Sequence, residues 1–220
     1  QLAGGSLTGS GRVQLVGINN IPVSLNMNVN NASFEVPAGF NTQGQARLQI
    51  VGNWFPYTLK GQYMVNKGLV TTSFIESNGD KSKQIQPSAY LPQYLTKQSF
   101  EPINLNLNVI LNRPVVIKNP EADAKVSGQV LLQGYPDKPL LTGQLQIERG
   151  GEITFRDNEF DILSANIEYN TAPPEQPKLY VSAKTQIISD DITYDINLIL
   201  QGTASNPNFK LSSTPPLEEN

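Results

Sequence analysis

The residues best suited to chemistry are acidic residues that lie close together between positions 148 and 161: Glu148, Glu152, Asp157, Glu159 and Asp161. A pair of carboxylates, one acting as acid and one as base or nucleophile, is the catalytic set of most glycoside hydrolases. These residues, however, flank the turn signals ERGG and RDNE and occupy polar positions of alternating segments. We therefore expect a solvated polar edge here. Asp190-Asp191 likewise predicts a hairpin tip, not a calcium site.

The composition excludes several further classes of site. The sequence has no Cys and no His, which excludes Cys/His nucleophiles, Ser-His-Asp triads and the common zinc ligand sets. We expect no enzyme, no catalytic residue, no cofactor and no metal site. The formal net charge is -3, with 16 basic and 19 acidic residues. No cluster of Lys and Arg stands out, so binding to nucleic acid or to an anionic membrane surface is not expected.

The dominant pattern is alternation of apolar and polar residues with a period of two. It is clearest in the segments IPVSLNMNVN (21–30), INLNLNVIL (103–111) and ITYDINLIL (192–200), where Asn and Thr alternate with Ile, Leu and Val. Shorter runs follow between turn signals such as GINN, VGNWFP, VNKG, GYPDKP and APPEQP. Strands at intervals of about 8 to 12 residues predict an all-β chain of antiparallel strands with few or no helices.

The chain divides into two similar halves in this interpretation. Residues 1–75 form one β-repeat segment, 76–100 form a spacer loop with room for one helical turn, and 101–220 form a second β-domain. Each half begins with an amide-rich strand that is followed by strands bounded by Gly. The PEADAK segment (120–125) is expected to be a short edge or loop. The repeated plan favours one extended sheet element over two unrelated domains.

An alternating sheet has one apolar face, and that face needs a cover. Leaving a large apolar side chain in water costs about 1.5–3 kcal/mol, whereas a whole domain is stable by only about 5–15 kcal/mol. We find no amphipathic helix of useful length to cover the face. The residues alone leave open a packed sandwich of two sheets, a sheet curled into a trough around an apolar ligand, and, less favoured, an outer-membrane barrel.

The second half resembles the C-terminal domain of the TamB family, which is part of the larger AsmA-like group. The resemblance covers residues 100–217 well, and over 1–75 it extends only to strands punctuated by Gly. This sequence has Asp157-Asn158 and Ser164-Ala165 in loops where many members place Gly. The matching motif residues are Arg149, Gly150, Ile153, Phe155, Phe160, Ile167, Tyr169, Pro177, Leu179, Gly202, Thr203, Asn206, Pro207, Ser213, Pro215, Pro216 and Leu217.

The resemblance implies an elongated, curled antiparallel sheet, the β-taco or open trough, with an apolar interior. Members look like periplasmic proteins anchored in the bacterial inner membrane that reach toward the outer membrane. The implied partners are phospholipid or another amphipathic lipid and the outer-membrane β-barrel assembly factor TamA. The implied function is conduction of phospholipids between the two membranes in support of outer-membrane biogenesis. We interpret this chain as a fragment in which the membrane anchor and the extreme C-terminus of the family are missing.

The candidate site residues are the alternating apolar ones, which would line a lipid-binding groove. In a packed sandwich the same residues would be ordinary core. An alternative function is a chaperone or scaffold module that assists insertion and assembly of outer-membrane β-barrel proteins or autotransporters, using exposed strand edges. The predicted groove consists of Val126, Val130, Leu132, Leu145, Ile147, Ile153, Phe155, Ala165, Ile167, Tyr169, Val181, Ala183, Tyr194, Ile196, Leu198 and Leu200.

Overall fold

The computed structural model describes residues 4–35, 40–73, 101–189, 191–203 and 206–216. Over these residues the chain forms strands and connecting turns, with no helix. The predicted spacer 76–100 lies outside the described residues. The strands are β1 (Ser6–Val13), β2 (Val23–Glu35), β3 (Phe40–Gly52), β4 (Tyr57–Val70), β5 (Ile103–Asn119), β6 (Ala122–Tyr135), β7 (Lys138–Ile147), β8 (Glu152–Phe155), β9 (Asn158–Ala172), β10 (Lys178–Ser189), β11 (Ile192–Thr203) and β12 (Asn206–Thr214).

All of these strands belong to one sheet. Its order follows the sequence from β1 to β7 and then from β9 to β12, with β8 pairing with both β6 and β9. The edge strands β1 and β12 are not joined to each other, so the sheet is open. The predicted all-β, curled and mainly antiparallel sheet is therefore confirmed.

One junction departs from the predicted antiparallel pattern. Strands β4 and β5 run parallel, with Tyr57 opposite Ile103 and Val65 opposite Leu111. Parallel neighbours need a long connection, and residues 71–102 separate these two strands. The pairing joins the predicted segments 1–75 and 101–220 within one sheet. Their division into separate domains stays a prediction.

Strand β8 occupies the position in the sheet that β7 leaves free. After β7 ends at Ile147, Ile153 of β8 pairs with Ala122 of β6 on one side and with Phe160 of β9 on the other. The chain then reverses at Arg156 and Asp157, whose φ angles are 49° and 63°. Two consecutive residues at positive φ are what a type I′ hairpin turn requires. The RDNE signal therefore predicted this turn correctly.

Two local predictions are wrong. The VNKG segment, expected to be a turn, lies inside β4, where a register shift between Val65 and Leu69 accommodates it as an irregularity against β5. The PEADAK segment, expected to be an edge or loop, contributes only Pro120 and Glu121 to a turn. Ala124 belongs to the interior strand β6 and is 3% exposed. In both places pairing with neighbouring strands overrides the local turn tendency.

The strand register places the apolar residues of successive strands side by side. Cross-strand partners share one face of a sheet, so a row of partners can be followed across the molecule. Such a row crosses six strands and consists of Val126, Ile147, Ala165, Val181, Leu200 and Phe209. The buried core lies on this face, in clusters around Val65 and Val126, around Ala165 and Val181, around Val29 and Ala46, and around Ala183 and Leu198.

Candidate functional site

All sixteen predicted groove residues lie on this one apolar face. The pairing of Ile153 with Ala122 places Ile153 on this face, and the pairing of Ala183 with Leu198 places Ala183 there. Six of the sixteen are buried: Val126, Val130, Ala165, Val181, Ala183 and Leu198. The other ten are half-buried: Leu132, Leu145, Ile147, Ile153, Phe155, Ile167, Tyr169, Tyr194, Ile196 and Leu200.

The face curls inward, and at one place its two walls touch. The rings of Phe155 on β8 and Phe209 on β12 stack with centroids 4.6 Å apart and 30° between their planes. Four strand positions separate β8 from β12, which corresponds to about 19 Å across a flat sheet. The apolar face is therefore concave. Beneath this contact Ala183 and Leu198 are each 0% exposed, so the trough is filled there by its own side chains.

The Arg156 guanidinium adds to this closed region. Its carbon lies 5.4 Å from the centroid of the Phe155 ring, within the range of a cation–π interaction. Phe160 meets the edge of the Phe155 ring at 6.5 Å between centroids. The type I′ turn at Arg156 and Asp157 holds Phe155 at the end of β8, where its ring reaches over the concave face.

Toward the end of β2 to β7 that lies near the β3–β4 connection, the concave face is only half covered, whereas farther along the same strands Val29, Ala46, Val65 and Val126 are buried. One row of partners there consists of Met27, Leu48, Gly61, Leu107, Leu132 and Leu141. The large side chains of this row are half-buried. Gly61 has no side chain and so leaves a gap in this row. A larger residue is disfavoured there, because its Cβ would meet the carbonyl oxygen of Arg47 and because the φ angle is 142°. This stretch is an apolar surface that its own side chains do not fill.

The sequence-based site list missed this first half of the trough. Met27, Leu48 and Leu107 continue the face that the predicted residues form. The alternation in 21–30 and 103–111 signalled the orientation of Met27 and Leu107, but alternation in single strands does not show which faces align. The pairing of β4 with β5 supplies that alignment.

The opposite, convex face is polar. A representative row of partners on it consists of Asn26, Gln49, Lys60, Asn106 and Gln133. The five candidate carboxylates between positions 148 and 161 are all exposed, as the polar-edge interpretation expects. Among the described residues, no group of three or more Asp or Glu side chains is arranged to hold a metal ion.

Two tyrosines of the concave face have altered acidity. Burial, with a smaller contribution from the charge of Glu175, raises the pKa of Tyr169 to about 12. The Tyr169 hydroxyl donates a hydrogen bond to the Pro174 carbonyl at 3.1 Å. Burial also raises the pKa of Tyr63, against the opposing effect of its hydrogen bond with Thr42. Both hydroxyls stay protonated at neutral pH, so the trough gains no charge from them.

This fold and surface define a class of protein: an open β-trough with an apolar concave face and an amide-rich exterior. In the part of the chain described here, no helix is both long enough and apolar enough to span a membrane. The family comparison agrees with the class. Residues 1–220 match the model of the TamB C-terminal domain, and the chain belongs to this family. The family forms part of a translocation and assembly module of the cell envelope and is not known as an enzyme family. No curated protein matches the chain.

Proposed function

We propose that this chain is a non-enzymatic periplasmic β-trough that shields acyl chains and conducts phospholipids between the inner and outer membranes. The observation that carries the proposal is the apolar concave face, which runs in register from β1 to β12. Leu7 of β1 pairs with Val29 at one edge, and Leu211 of β12 pairs with Leu198 at the other. The apolar face therefore continues across the sheet from one edge strand to the other.

The free energy of transfer explains why such a surface is useful. Each CH₂ group of an acyl chain contributes about 0.8 kcal/mol to its preference for an apolar environment, so an unshielded lipid does not cross water readily. A continuous apolar trough removes most of this barrier, while the headgroup stays in the open slit. No bond is made or broken, so the function needs neither a nucleophile nor a metal.

The sixteen predicted residues have two roles in this proposal. The ten half-buried side chains contact the acyl chain, whereas the six buried ones form the floor that supports them. Met27, Leu48 and Leu107 extend the contact surface into the first half of the chain. The stacked rings of Phe155 and Phe209 then mark a constriction, where a lipid passes only if the two walls separate.

The cellular setting is part of the same proposal. Family membership supports a position in the envelope and work in a translocation and assembly module. We propose a protein that is anchored in the inner membrane by a segment outside these residues and meets the outer-membrane β-barrel factor TamA. The amide-rich convex face suits exposure to the aqueous periplasm, because Asn and Gln hydrogen-bond to water without charge.

Lipid content tests the proposal directly. We would purify the chain from bacterial cells without detergent and measure bound phospholipid by mass spectrometry. Leu145→Asn introduces a polar group on the concave face and is expected to reduce the lipid recovered. Gln144→Asn, on the neighbouring convex position, is the matched control and should retain it. No phospholipid on the wild-type chain, or equal loss in both variants, would contradict the proposal.

A second candidate function rests on the strand edges. Every residue of β1 is exposed, and this strand contains Gly9 and Gly11 but neither Pro nor Lys. Strand β12 carries Pro207 and Lys210, which are residues that protect an edge from pairing. Among the described strands β1, with Arg12 as its one charged residue, is the edge that we propose as a template for a nascent outer-membrane strand, as in a chaperone or scaffold that assists barrel proteins or autotransporters. Crosslinks from β1 to unfolded barrel proteins, without lipid in the trough, would favour this function.

A further inference from the structure

The loops at one end of the sheet expose a group of large apolar side chains. In the β1–β2 connection Leu15 is 85%, Val16 is 64% and Ile18 is 91% exposed. In the β3–β4 connection Phe55 is 38% exposed and its ring meets that of Trp54 at 5.0 Å between centroids. We call Leu15, Val16, Ile18, Trp54 and Phe55 the loop patch.

The two connections form one surface. The Ile21 amide donates a hydrogen bond to the Asn53 carbonyl at 2.7 Å, and the Tyr57 hydroxyl donates one to the Ile21 carbonyl at 2.9 Å. The Tyr57 ring also packs edge-on against Phe55 at 4.9 Å. These contacts hold the aliphatic and aromatic members of the loop patch side by side.

Basic residues outnumber acidic ones around the loop patch, where Glu101 precedes Pro102, whose carbonyl accepts a hydrogen bond from the Tyr57 amide at 2.8 Å. Residues 14–22 and 53–56 contain no charged side chain. In the described part of β1 to β4 the basic residues are Arg12, Arg47, Lys60 and Lys67, and the only acidic one is Glu35, at the far end of β2. From β6 to β12 acidic residues outnumber Lys and Arg. The net charge of -3 therefore conceals a basic half and an acidic half.

Two of these cations share a surface feature. Arg47 and Lys60 line a shallow depression of about 350 Å³ together with Asn26, Asn28 and Gln49 and with Met27, Leu48 and Gly61 of the trough. Neither cation forms an ion pair with a described residue. Lys60 lies three residues from Tyr57, or about 10 Å along the strand. That separation is comparable to the depth of a bilayer's headgroup region, which is about 5–8 Å.

We propose that this end of the sheet docks on an anionic phospholipid bilayer, with the loop patch inserted at the interface and Arg12 and Lys60 at headgroup level. Trp and Tyr prefer the boundary between headgroups and acyl chains, and uncharged loops enter it without burying a charge. Each Lys or Arg near an anionic membrane surface strengthens binding. The loop patch lies in the connections beyond the strands that form the trough, so docking does not depend on lipid conduction.

Trp54 provides the measurement, since it is the single Trp of the chain. We would titrate the protein with phosphatidylcholine vesicles that either contain or lack phosphatidylglycerol. With phosphatidylglycerol present, Trp54 emission is expected to shift to shorter wavelength and to be quenched by acyl chains brominated near the carbonyl. Binding should weaken as salt is added, because the cations are screened. Unchanged Trp54 emission in anionic vesicles would overturn the proposal.

Variants separate docking from nonspecific adhesion. Ile18→Asp should lower the partition coefficient at least about tenfold. Arg12→Gln and Lys60→Gln should each lower it about fivefold on anionic vesicles and leave binding to neutral vesicles unaffected. Ile188→Asp is the control, because Ile188 is 76% exposed on β10, away from the loop patch. Circular dichroism confirms that each variant is folded. Equal weakening by Ile18→Asp and Ile188→Asp would contradict docking through the loop patch.

Failure of the docking proposal can be distinguished from failure of the lipid-trough proposal. Leu145→Asn should remove bound lipid and leave vesicle docking intact, whereas Ile18→Asp should do the reverse. If the loop patch instead receives a protein, the Trp54 spectrum will not respond to vesicles, and the membrane proposal is wrong.

Discussion

Phe155 and Phe209 stack across the concave face at 4.6 Å between ring centroids, although four strand positions separate β8 from β12. The contact shows that the sheet closes on itself locally without forming a hydrogen-bonded seam. The concave face thus has packed regions around Leu198 and around Val65 and Val126, and a half-covered region along the row from Met27 to Leu141. The stability and the proposed transport function of the trough both depend on this division.

The stacked rings should be energetically coupled. In a double-mutant cycle with Phe155→Ala and Phe209→Ala, measured by urea unfolding, we expect a coupling of about 0.5–1.5 kcal/mol. The control cycle pairs Phe209→Ala with Phe55→Ala, in a loop at the other end of the sheet, and should be additive within about 0.5 kcal/mol. Additive effects of Phe155→Ala and Phe209→Ala would show that the two walls do not meet in solution.

Leu198 and Ile199 are adjacent in sequence but face opposite sides of the sheet, so truncating them should lower the free energy of unfolding by very different amounts. Leu198 is 0% exposed on the concave face, and Ile199 is 38% exposed on the convex face. Leu198→Ala should lower the free energy of unfolding by about 2–5 kcal/mol, because it leaves a cavity. Ile199→Ala should lower it by less than about 1 kcal/mol. Similar small losses in both variants would mean that the concave face is not packed at Leu198.

Tyr169 predicts a specific loss of stability at high pH. Its pKa is about 12 in the folded chain, mainly because of burial, and about 10 in the unfolded chain. Between these values the unfolded state releases the proton first, so stability is fully present below about pH 10 and falls as pH rises toward 12. The slope should be about 1.4 kcal/mol per pH unit. Tyr169→Phe should abolish this part of the pH dependence, and an unchanged profile in that variant would contradict it.

The sequence predicted the faces of the sheet well and its pairing less well. Alternation with a period of two determines which way Leu145 and Gln144 point, because successive side chains of a strand face opposite sides. It does not determine which strands become neighbours, so the parallel pairing of β4 with β5 was not foreseen. Nor does it show that Phe155, on a four-residue strand, reaches Phe209. That contact depends on the curl of five strands.

The distribution of charge over the sheet is a second feature that the sequence totals did not predict. A single total for the chain averages the cations Arg12, Arg47 and Lys60 with acidic residues far along the sequence. Strands β1 to β4 are neighbours in the sheet, so these cations, which are scattered in the sequence, lie in one region beside exposed apolar loops. The expectation that no membrane surface would attract the chain rested on the near balance of charges and on the absence of a Lys/Arg cluster in the sequence. The spatial separation of charges is what supports the opposite proposal.

A photo-crosslinking profile along the trough tests the central claim most directly. A photoreactive amino acid would be placed in living cells at concave positions and, as matched controls, at the adjacent convex positions. We predict phospholipid adducts at every concave position and at none of the controls. Equal labelling of both sets, or no lipid adducts at the concave positions, would contradict the lipid trough. The concave and convex pairs are Met27 and Asn28, Leu145 and Gln144, and Ile196 and Asn197.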